Sequence, residues 1–268
     1  MPEGDTLHRI AQTLGKALTG KVLVAFSSPL PALAEAKLEG RTVTSVEARG
    51  KNLLIHFDDG RALHSHLRMT GSWHLYRPGE RWQKPAHQAR AVLTTADFVV
   101  VCFNAPVVEL LAAGGVDRHE GLRRLGPDLL DDDFDPLEAR RRLRERGDLA
   151  VGDAIMMQSA LAGIGNIYKS ETLFVCKIDP FVRVADLDDR TLDRIIEEAR
   201  TLMHRNLDGA PRRTRTALSG PRLWVYDRGG RPCLTCGTLI KVRRQGLAGR
   251  TTYYCPSCQR VGERPPHG

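Results

Sequence analysis

Two groups of residues in this 268-residue chain have types and spacings suited to chemistry, and they lie at opposite ends. Cys233 and Cys236 form one C-x-x-C pair, and Cys255 and Cys258 form a second. Two thiolate pairs on tight knuckles, separated by the length of a β-hairpin, can close a tetrahedron around Zn²⁺. Two unrelated redox dithiols are the alternative, but no βαβ pattern surrounds either pair. A closed Cys₄ site performs no reaction and serves to stiffen a short segment. At the other end the chain opens Met1-Pro2-Glu3. Proline is small enough that Met1 should be removed, which exposes a secondary amine. An α-amino group has a reference pKa near 8, so roughly a fifth is neutral at about pH 7.4, against about 0.1% of a lysine. Condensed with an aldehyde carbon, a secondary amine gives an iminium that has no nitrogen proton to lose and remains an electron sink. Glu3 alongside could donate or shuttle a proton. Many chains begin Met-Pro, so these residues alone also fit an ordinary N-terminus.

Between the cysteine pairs, two β-type runs flank the turn from Gln245 to Gly249, which predicts a hairpin with Arg250 near its tip. Zinc would fix the hairpin base and leave the tip reaching outward, where a guanidinium suits bidentate phosphate contact. An arginine that only solubilises the hairpin is the alternative. Further back, Gly163-Ile-Gly-Asn166 reads as a two-glycine turn between helices. Exposed N–H groups at the start of the second helix would suit a phosphate, with Asn166 as an added donor. A bare helix–helix turn would use the same residues.

The charge distribution points the same way. The net charge is +8, yet from Arg212 to Arg264 twelve Lys and Arg stand against two acids, while the remainder carries 28 basic and 30 acidic residues. The basic surplus lies wholly around the zinc segment, which fits a polyanion, most simply nucleic acid.

These residues need a scaffold. The length allows two domains. Asp5 to Leu18 has the spacing of an amphipathic helix. Short β-type runs follow at Val22–Phe26, Thr42–Val46, Leu53–Phe57, Ala62–Leu67, Gly71–Leu75, Ala91–Thr94 and Phe98–Phe103, which predicts an antiparallel sandwich or barrel. Asn104 to about Asp135 reads as irregular and in part as the interdomain connection. The second half is helical: Pro136–Arg146, Val151–Leu161, Ile167–Val175 and Thr191–Asn206, the last with Asp188 or Asp189 as cap. Cys102 and Cys176 stand in apolar surroundings as small core residues, which fits a reducing cytoplasm. No apolar run is long enough to span a bilayer, and the N-terminus lacks the apolar stretch of a signal peptide.

Several stretches together resemble the formamidopyrimidine-DNA glycosylase and endonuclease VIII family of bifunctional base-excision-repair enzymes. They are MPEGD at the start, Arg49-Gly50-Lys51, HLRMTGSW from His66 to Trp73, Arg124 to Asp128, Gln158 to Phe174, and the zinc hairpin with GRTTYYCPSCQ. The resemblance implies an α+β fold. A catalytic β-sandwich with an N-terminal helix would span 1–115, and a linker with a helix-two-turns-helix domain 116–222. A zinc finger would span 223–262 and a tail 263–268. It implies one structural Zn²⁺ on Cys233, Cys236, Cys255 and Cys258. It further implies Pro2 as nucleophile on C1′, Glu3 as proton donor, Lys51 as an aid to β-elimination, and Arg250 as phosphate grip and aid to δ-elimination. Asn166 and Arg124 would contact the DNA backbone. Met69 would fill the stack when a base is flipped out, with core packing as its alternative. The implied partner is double-stranded DNA carrying an oxidised base or an abasic site, bound by a monomer at the nucleoid of a cytoplasm, with no membrane. The start PEGD is similar to the endonuclease VIII side, whose substrates are mainly oxidised pyrimidines. Phe103-Asn104-Ala105-Pro106 lacks the Arg-x-Phe of the formamidopyrimidine side. An 8-oxoguanine-type glycosylase and a non-catalytic zinc-ribbon protein that binds damaged DNA are the alternatives.

Overall fold

Helix α1 (Gly4–Leu18) places Leu7, Leu14 and Leu18 on one buried face, as its helical spacing dictates. Glu3 is its N-cap residue, and the Glu3 carbonyl accepts the N–H groups of Thr6 and Leu7. The computed structural model describes residues 2–209, 211–217 and 219–260. Met1, whose removal the sequence leads one to expect, and the tail 263–268 lie outside the described residues. The chain divides into two compact units, Met1–Arg124 and Leu125–Gly268.

In the first unit the strands are β1 (Ala25–Ser27), then after the short helix α2 (Pro31–Ala34), β2 (Val43–Arg49), β3 (Asn52–Phe57), β4 (Ala62–His66), β5 (Ser72–Tyr76), β6 (Ala89–Thr94), β7 (Val99–Phe103) and β8 (Val107–Leu111). They form two antiparallel four-stranded sheets, ordered β1-β6-β7-β5 and β2-β3-β4-β8. Two open sheets make this a sandwich and not a barrel. Strand β6 alternates buried and half-buried residues, as a strand covered on one face should. Strand β3 is buried almost throughout, and α1 packs against it and β2. That second cover explains its near-continuous apolar sequence. Leu7, Leu14, Leu53, Ile55, Leu63, Leu93 and Val100 share the core.

The stretch from Asn104 to Asp135 is more ordered than its composition suggests. It holds β8 and the single-turn helices α3 (Gly115–Arg118) and α4 (Glu120–Arg123), all within the first unit. Strand β8 escapes sequence reading because only Val108 of VVELL is buried at this sheet edge, so the alternation is faint.

The second unit contains α5 (Pro136–Arg144), α6 (Val151–Ala154), α7 (Asn166–Val175), α8 (Asp189–His204) and the hairpin β9 (Lys241–Gln245) and β10 (Arg250–Tyr254). Asp188 caps α8 by accepting the Thr191 N–H at 2.8 Å. The face Leu192, Ile195, Ile196, Ala199, Leu202 and Met203 is buried as its spacing requires.

The helix expected over Val151–Leu161 is cut to α6, Val151–Ala154. A neighbouring strand-like segment competes for its backbone. Gly126 N–H donates to the Gln158 carbonyl at 2.8 Å, and Ala162 N–H donates to the Pro127 carbonyl at 3.0 Å. Gln158 bonds the turn internally through Met156 and Ile164 carbonyls and the Gly163 N–H. The approach is close enough that a Cβ on Gly126 would lie 2.5 Å from the Ala160 carbonyl oxygen. Gly126→Ala should therefore destabilise the protein by about 1–3 kcal/mol, the cost of overpacking against backbone that cannot yield. Denaturant unfolding measures it, and an unchanged midpoint would show that the contact relaxes freely.

Candidate functional site

In the first unit the candidate residues stand at the ends of α1 and of the β2–β3 and β4–β5 connections. Pro2 is half-buried and leads directly into Glu3, which is 0% exposed. Strands β2 and β3 pair as far as Arg49 and Asn52, so Gly50 and Lys51 form a two-residue hairpin loop. Gly50 has φ +58 while Lys51 has no positive φ, the pattern of a type II′ turn with glycine first. The Asn52 side-chain amide spans the loop and donates to the Arg49 carbonyl at 2.9 Å. His66 pairs with Asn52 across the strands. Burial, with Lys51 and Arg68 nearby, holds the His66 pKa down at about 4. His66 is thus neutral, and its Nδ1 accepts the Arg68 N–H at 3.1 Å.

Met69 sits in the β4–β5 loop and is 77% exposed, so the core-packing alternative does not hold. The loop is closed by the Gly71 N–H to the Leu67 carbonyl at 2.8 Å. A Cβ at Gly71 would come within 2.9 Å of backbone atoms of both Leu67 and Ala105, so only glycine allows this approach. Arg68 has φ +46. Thr70 Oγ1 donates to the Asn104 carbonyl at 3.0 Å, and Asn104 itself (φ +51) bonds Gln88. Arg124 ends α4, exposed and paired with Glu120 at 2.7 Å.

In the second unit the four cysteines converge. Cys233 and Cys258 Sγ are 3.9 Å apart, Cys236 and Cys255 Sγ 3.5 Å, and all four lie within 4.8 Å of one another. Tetrahedral Zn–S bonds near 2.3 Å require sulfurs about 3.8 Å apart, so the set fits zinc. Thr235 N–H points at Cys233 Sγ at 3.4 Å and Cys258 N–H at Cys255 Sγ at 3.5 Å, which stabilises thiolates. The four thiols form a closed site for one structural zinc and leave no position for a substrate.

Helix α7 holds the hairpin. Asn166 Nδ2 donates to the Thr251 carbonyl at 2.7 Å. Lys169 Nζ donates to Thr252 Oγ1 at 2.7 Å, Thr252 donates to Gln245 Oε1 at 2.7 Å, and Gln245 Nε2 donates to the Pro180 carbonyl at 2.8 Å. Asn166, expected at the DNA backbone, therefore has the hairpin as its immediate partner, and its buried Oδ1 has no bond. Of the two glycines before α7, Gly163 has φ +97, while Gly165 is an extended N-cap that any residue could adopt. Arg250 is the first residue of β10 and exposed; burial pushes the pKa of the half-buried Asp153 up, and the charges of Lys169 and then Arg250 oppose that shift.

Glu171 on α7 is a residue that sequence reasoning missed. Its buried carboxylate accepts a bond from the Thr214 hydroxyl and from the N–H groups of Trp224 (2.7 Å), Val225 (2.8 Å) and Tyr226 (2.8 Å). Burial pushes its pKa up, and these donors oppose the shift. The usable signal was that NIYKSETLFV carries apolar residues on all faces, so its charged residues had to be buried and paired. Part of the basic surplus is also structural. Arg212, Arg215 and Arg243 stack over Tyr168, Trp224 and Phe181 at 4.9, 5.0 and 4.6 Å.

A β-sandwich led by a Pro-Glu helix, followed by a helical unit that grips a Cys₄ hairpin, defines the class of zinc-finger DNA glycosylases. Residues 1–106 match the formamidopyrimidine-DNA glycosylase N-terminal domain, 125–216 its H2TH domain, and 230–261 the zinc finger found in FPG and IleRS. The chain is 44% identical over 271 residues to Probable endonuclease 8 2 of Streptomyces coelicolor, covering 100% of this chain and 97% of that protein. It is 37% identical over 260 residues to DNA-(apurinic or apyrimidinic site) lyase Nei2 of Mycolicibacterium smegmatis, covering 97% and 99%. The Lactococcus lactis FPG mutant in complex with Fapy-dG-containing DNA superposes with a TM-score of 0.81 at 25% identity, over 97% of this chain and 100% of that one. The chain belongs to the formamidopyrimidine-DNA glycosylase and endonuclease VIII family, and it is a DNA glycosylase with abasic-site lyase activity. No helix among the described residues is long and apolar enough to cross a membrane.

Proposed function

We propose that the chain excises oxidised bases, mainly pyrimidines, from double-stranded DNA through the amine of Pro2, and cuts the strand by β- and then δ-elimination. The observation that carries this reading is the placement of Pro2 beside a fully buried Glu3 at the head of α1, so that amine and carboxyl are fixed by one helix. The Pro2 nitrogen attacks C1′ and the base leaves with a proton from Glu3. The iminium acidifies the 2′ protons. Loss of one expels the 3′ phosphate, and a second elimination expels the 5′ phosphate. Lys51, on its type II′ turn, assists the first elimination and contacts phosphate. Arg250 grips phosphate and assists the second. The exposure of Met69 on a tightly closed loop suits a wedge that enters the stack as the base leaves. Arg124 and Asn166 serve the DNA backbone, Asn166 through the hairpin it holds. Zinc, held by the four cysteines, supplies rigidity to the segment behind Arg250. The protein acts as a monomer at the nucleoid of a bacterial cytoplasm.

The endonuclease VIII assignment is supported by the names of relatives such as Endonuclease 8 of Escherichia coli, 33% identical over 266 residues. The absence of Arg-x-Phe at Phe103 to Pro106 argues the same way. Single-lesion duplexes with oxidised pyrimidines against 8-oxoguanine decide the preference, and faster release of 8-oxoguanine would reverse it. Borohydride reduction on an abasic duplex should trap a covalent adduct. Tight binding with neither adduct nor nicking would instead mark a non-catalytic damage-binding protein.

Arg250→Ala should weaken binding and strand cleavage by about ten-fold or more, the worth of a charge-assisted bidentate contact near 1.5–3 kcal/mol. Zinc stoichiometry should remain at one, since Arg250 lies outside the Cys₄ set. Filter binding, gel cleavage and metal analysis check the three. Unchanged binding and cleavage would remove the hairpin tip from the phosphate contacts.

A further inference from the structure

Beneath the Lys51 turn lies a chain of polar side chains that the reaction above does not use. Asn52 commits its NH₂ to the Arg49 carbonyl at 2.9 Å and so presents its carbonyl oxygen to His64 Nε2 at 3.0 Å. His64 is 3% exposed, and its Nδ1 lies 2.8 Å from Glu109 Oε1 on β8. The same oxygen meets His119 Nε2 at 3.1 Å, and His119 Nδ1 accepts the Leu122 N–H at 3.2 Å to cap α4.

His64, Glu109 and His119 have the composition and convergence of a metal site. The hydrogen bonds argue against one. His119 Nδ1 uses its lone pair on Leu122, so in the neutral ring Nε2 carries the hydrogen and cannot ligate. It donates to Glu109 instead. Both nitrogens of His64 face acceptors, because the Asn52 amide is oriented by Arg49. The arrangement is complete only when His64 carries two N–H groups.

We propose that His64 is a positioning residue whose protonation, read against Glu109, decides whether Asn52 clamps the Gly50-Lys51 turn. The inference rests on the reading of Lys51 given above. With His64 protonated, Glu109 and Asn52 are both satisfied. When it loses a proton, the remaining one goes to Nδ1, where the anionic carboxylate makes the stronger bond. Nε2 then turns a lone pair on the Asn52 oxygen, and the clamp on the turn is released. The groups facing His64 are Glu109 from β8, Asn52 from β3, His119 from the α3–α4 junction and, along its own strand, His66. Burial pulls the His64 pKa below the ordinary histidine value, and the Glu109 bond opposes that shift. The clamp is therefore closed on the acid side and opens as pH rises through the His64 pKa.

The test compares wild type with Glu109→Gln, a variant outside the proposed reacting groups. A glutamine oxygen can still accept from His119 but carries no charge to draw the last His64 hydrogen to Nδ1, so the hold on Asn52 no longer follows the ionisation read against an anionic partner. On an abasic duplex, the ratio of strand cleavage to borohydride-trapped adduct should fall in the wild type by about two- to ten-fold, the factor one net hydrogen bond is worth, as pH rises from the range in which both His64 ring nitrogens are protonated to the range in which one is. In Glu109→Gln the ratio should stay level. Ring-nitrogen NMR of the full chain should show His64 doubly protonated on the acid side and the neutral His119 ring as the Nε2–H tautomer. Parallel pH profiles, a singly protonated His64 at low pH, or a second bound zinc lost in His119→Ala would each overturn the proposal. Lys51→Ala separates the two readings. Full cleavage by that variant would remove Lys51 from the elimination, whereas its loss beside unaltered Glu109→Gln behaviour would sink the clamp alone.

Discussion

Replacing Pro2 by glycine should cut formation of the borohydride-trapped adduct by roughly a hundred-fold or more, on the order of 3 kcal/mol of barrier. Glycine leaves a primary amine of similar basicity at the same place, so condensation with C1′ is not abolished. What disappears is the permanent charge of the nitrogen. An imine from a primary amine can shed its proton and cease to draw electrons, whereas the proline iminium cannot. Glu3 remains the buried cap of α1 in the variant, so folding and DNA binding should hold. A chain that retains Met1 should lose adduct and cleavage together, since its amine is displaced by one residue. Mass spectrometry of the N-terminus must accompany both measurements. Equal trapping by the wild type and the Pro2→Gly variant, each correctly processed, would show that the permanent charge of the proline iminium does not drive adduct formation.

Glu171→Ala should produce a large loss of stability in the second unit. The carboxylate satisfies three consecutive backbone N–H groups, at Trp224, Val225 and Tyr226, and the Thr214 hydroxyl, all around a buried point. Alanine would strand these donors at about 1–3 kcal/mol each. Local relaxation and water entry reduce the total to on the order of 3–5 kcal/mol, the range seen when a buried charge loses its partner. The segment so anchored leads directly into the first cysteine knuckle, so zinc retention under chelator challenge should fall as well. Glu171→Gln keeps an acceptor oxygen and should lose about half as much. Denaturant unfolding gives the comparison, and a change below about 1 kcal/mol in the alanine variant would show that the anchor is redundant.

Legibility varied with how local each feature is. The Cys₄ spacing, the hairpin and the cap-and-stripe pattern of α8 are contained within short runs, and the structure agrees with them. The same holds for α1, whose period alone finds its buried face. Strand β8 and the shortened α6 were not legible. The first is an edge strand with little alternation, and the second is overruled by hydrogen bonds to Gly126 and Pro127, more than thirty positions away. The Met69 loop lay between these cases. Its residues can be read, but exposure separates wedge from core, and that follows from the backbone approach at Gly71.

The sequence by itself determined the residue types able to react, the zinc set and the order of the two domains, because each rests on covalent spacing or on a period of a few residues. Tertiary structure alone decided which charged residues stay inside. Lys169 and Glu171 look like solvated positions on a helix, yet they are fully buried, and their partners come from Thr252, Thr214 and residues 224–226. Asn52, His64, Glu109 and His119 likewise stand far apart along the chain and meet only when β3, β4, β8 and α4 are assembled. Burial makes an unpaired polar group costly, so such groups find partners wherever the fold brings them, and no local pattern records that choice.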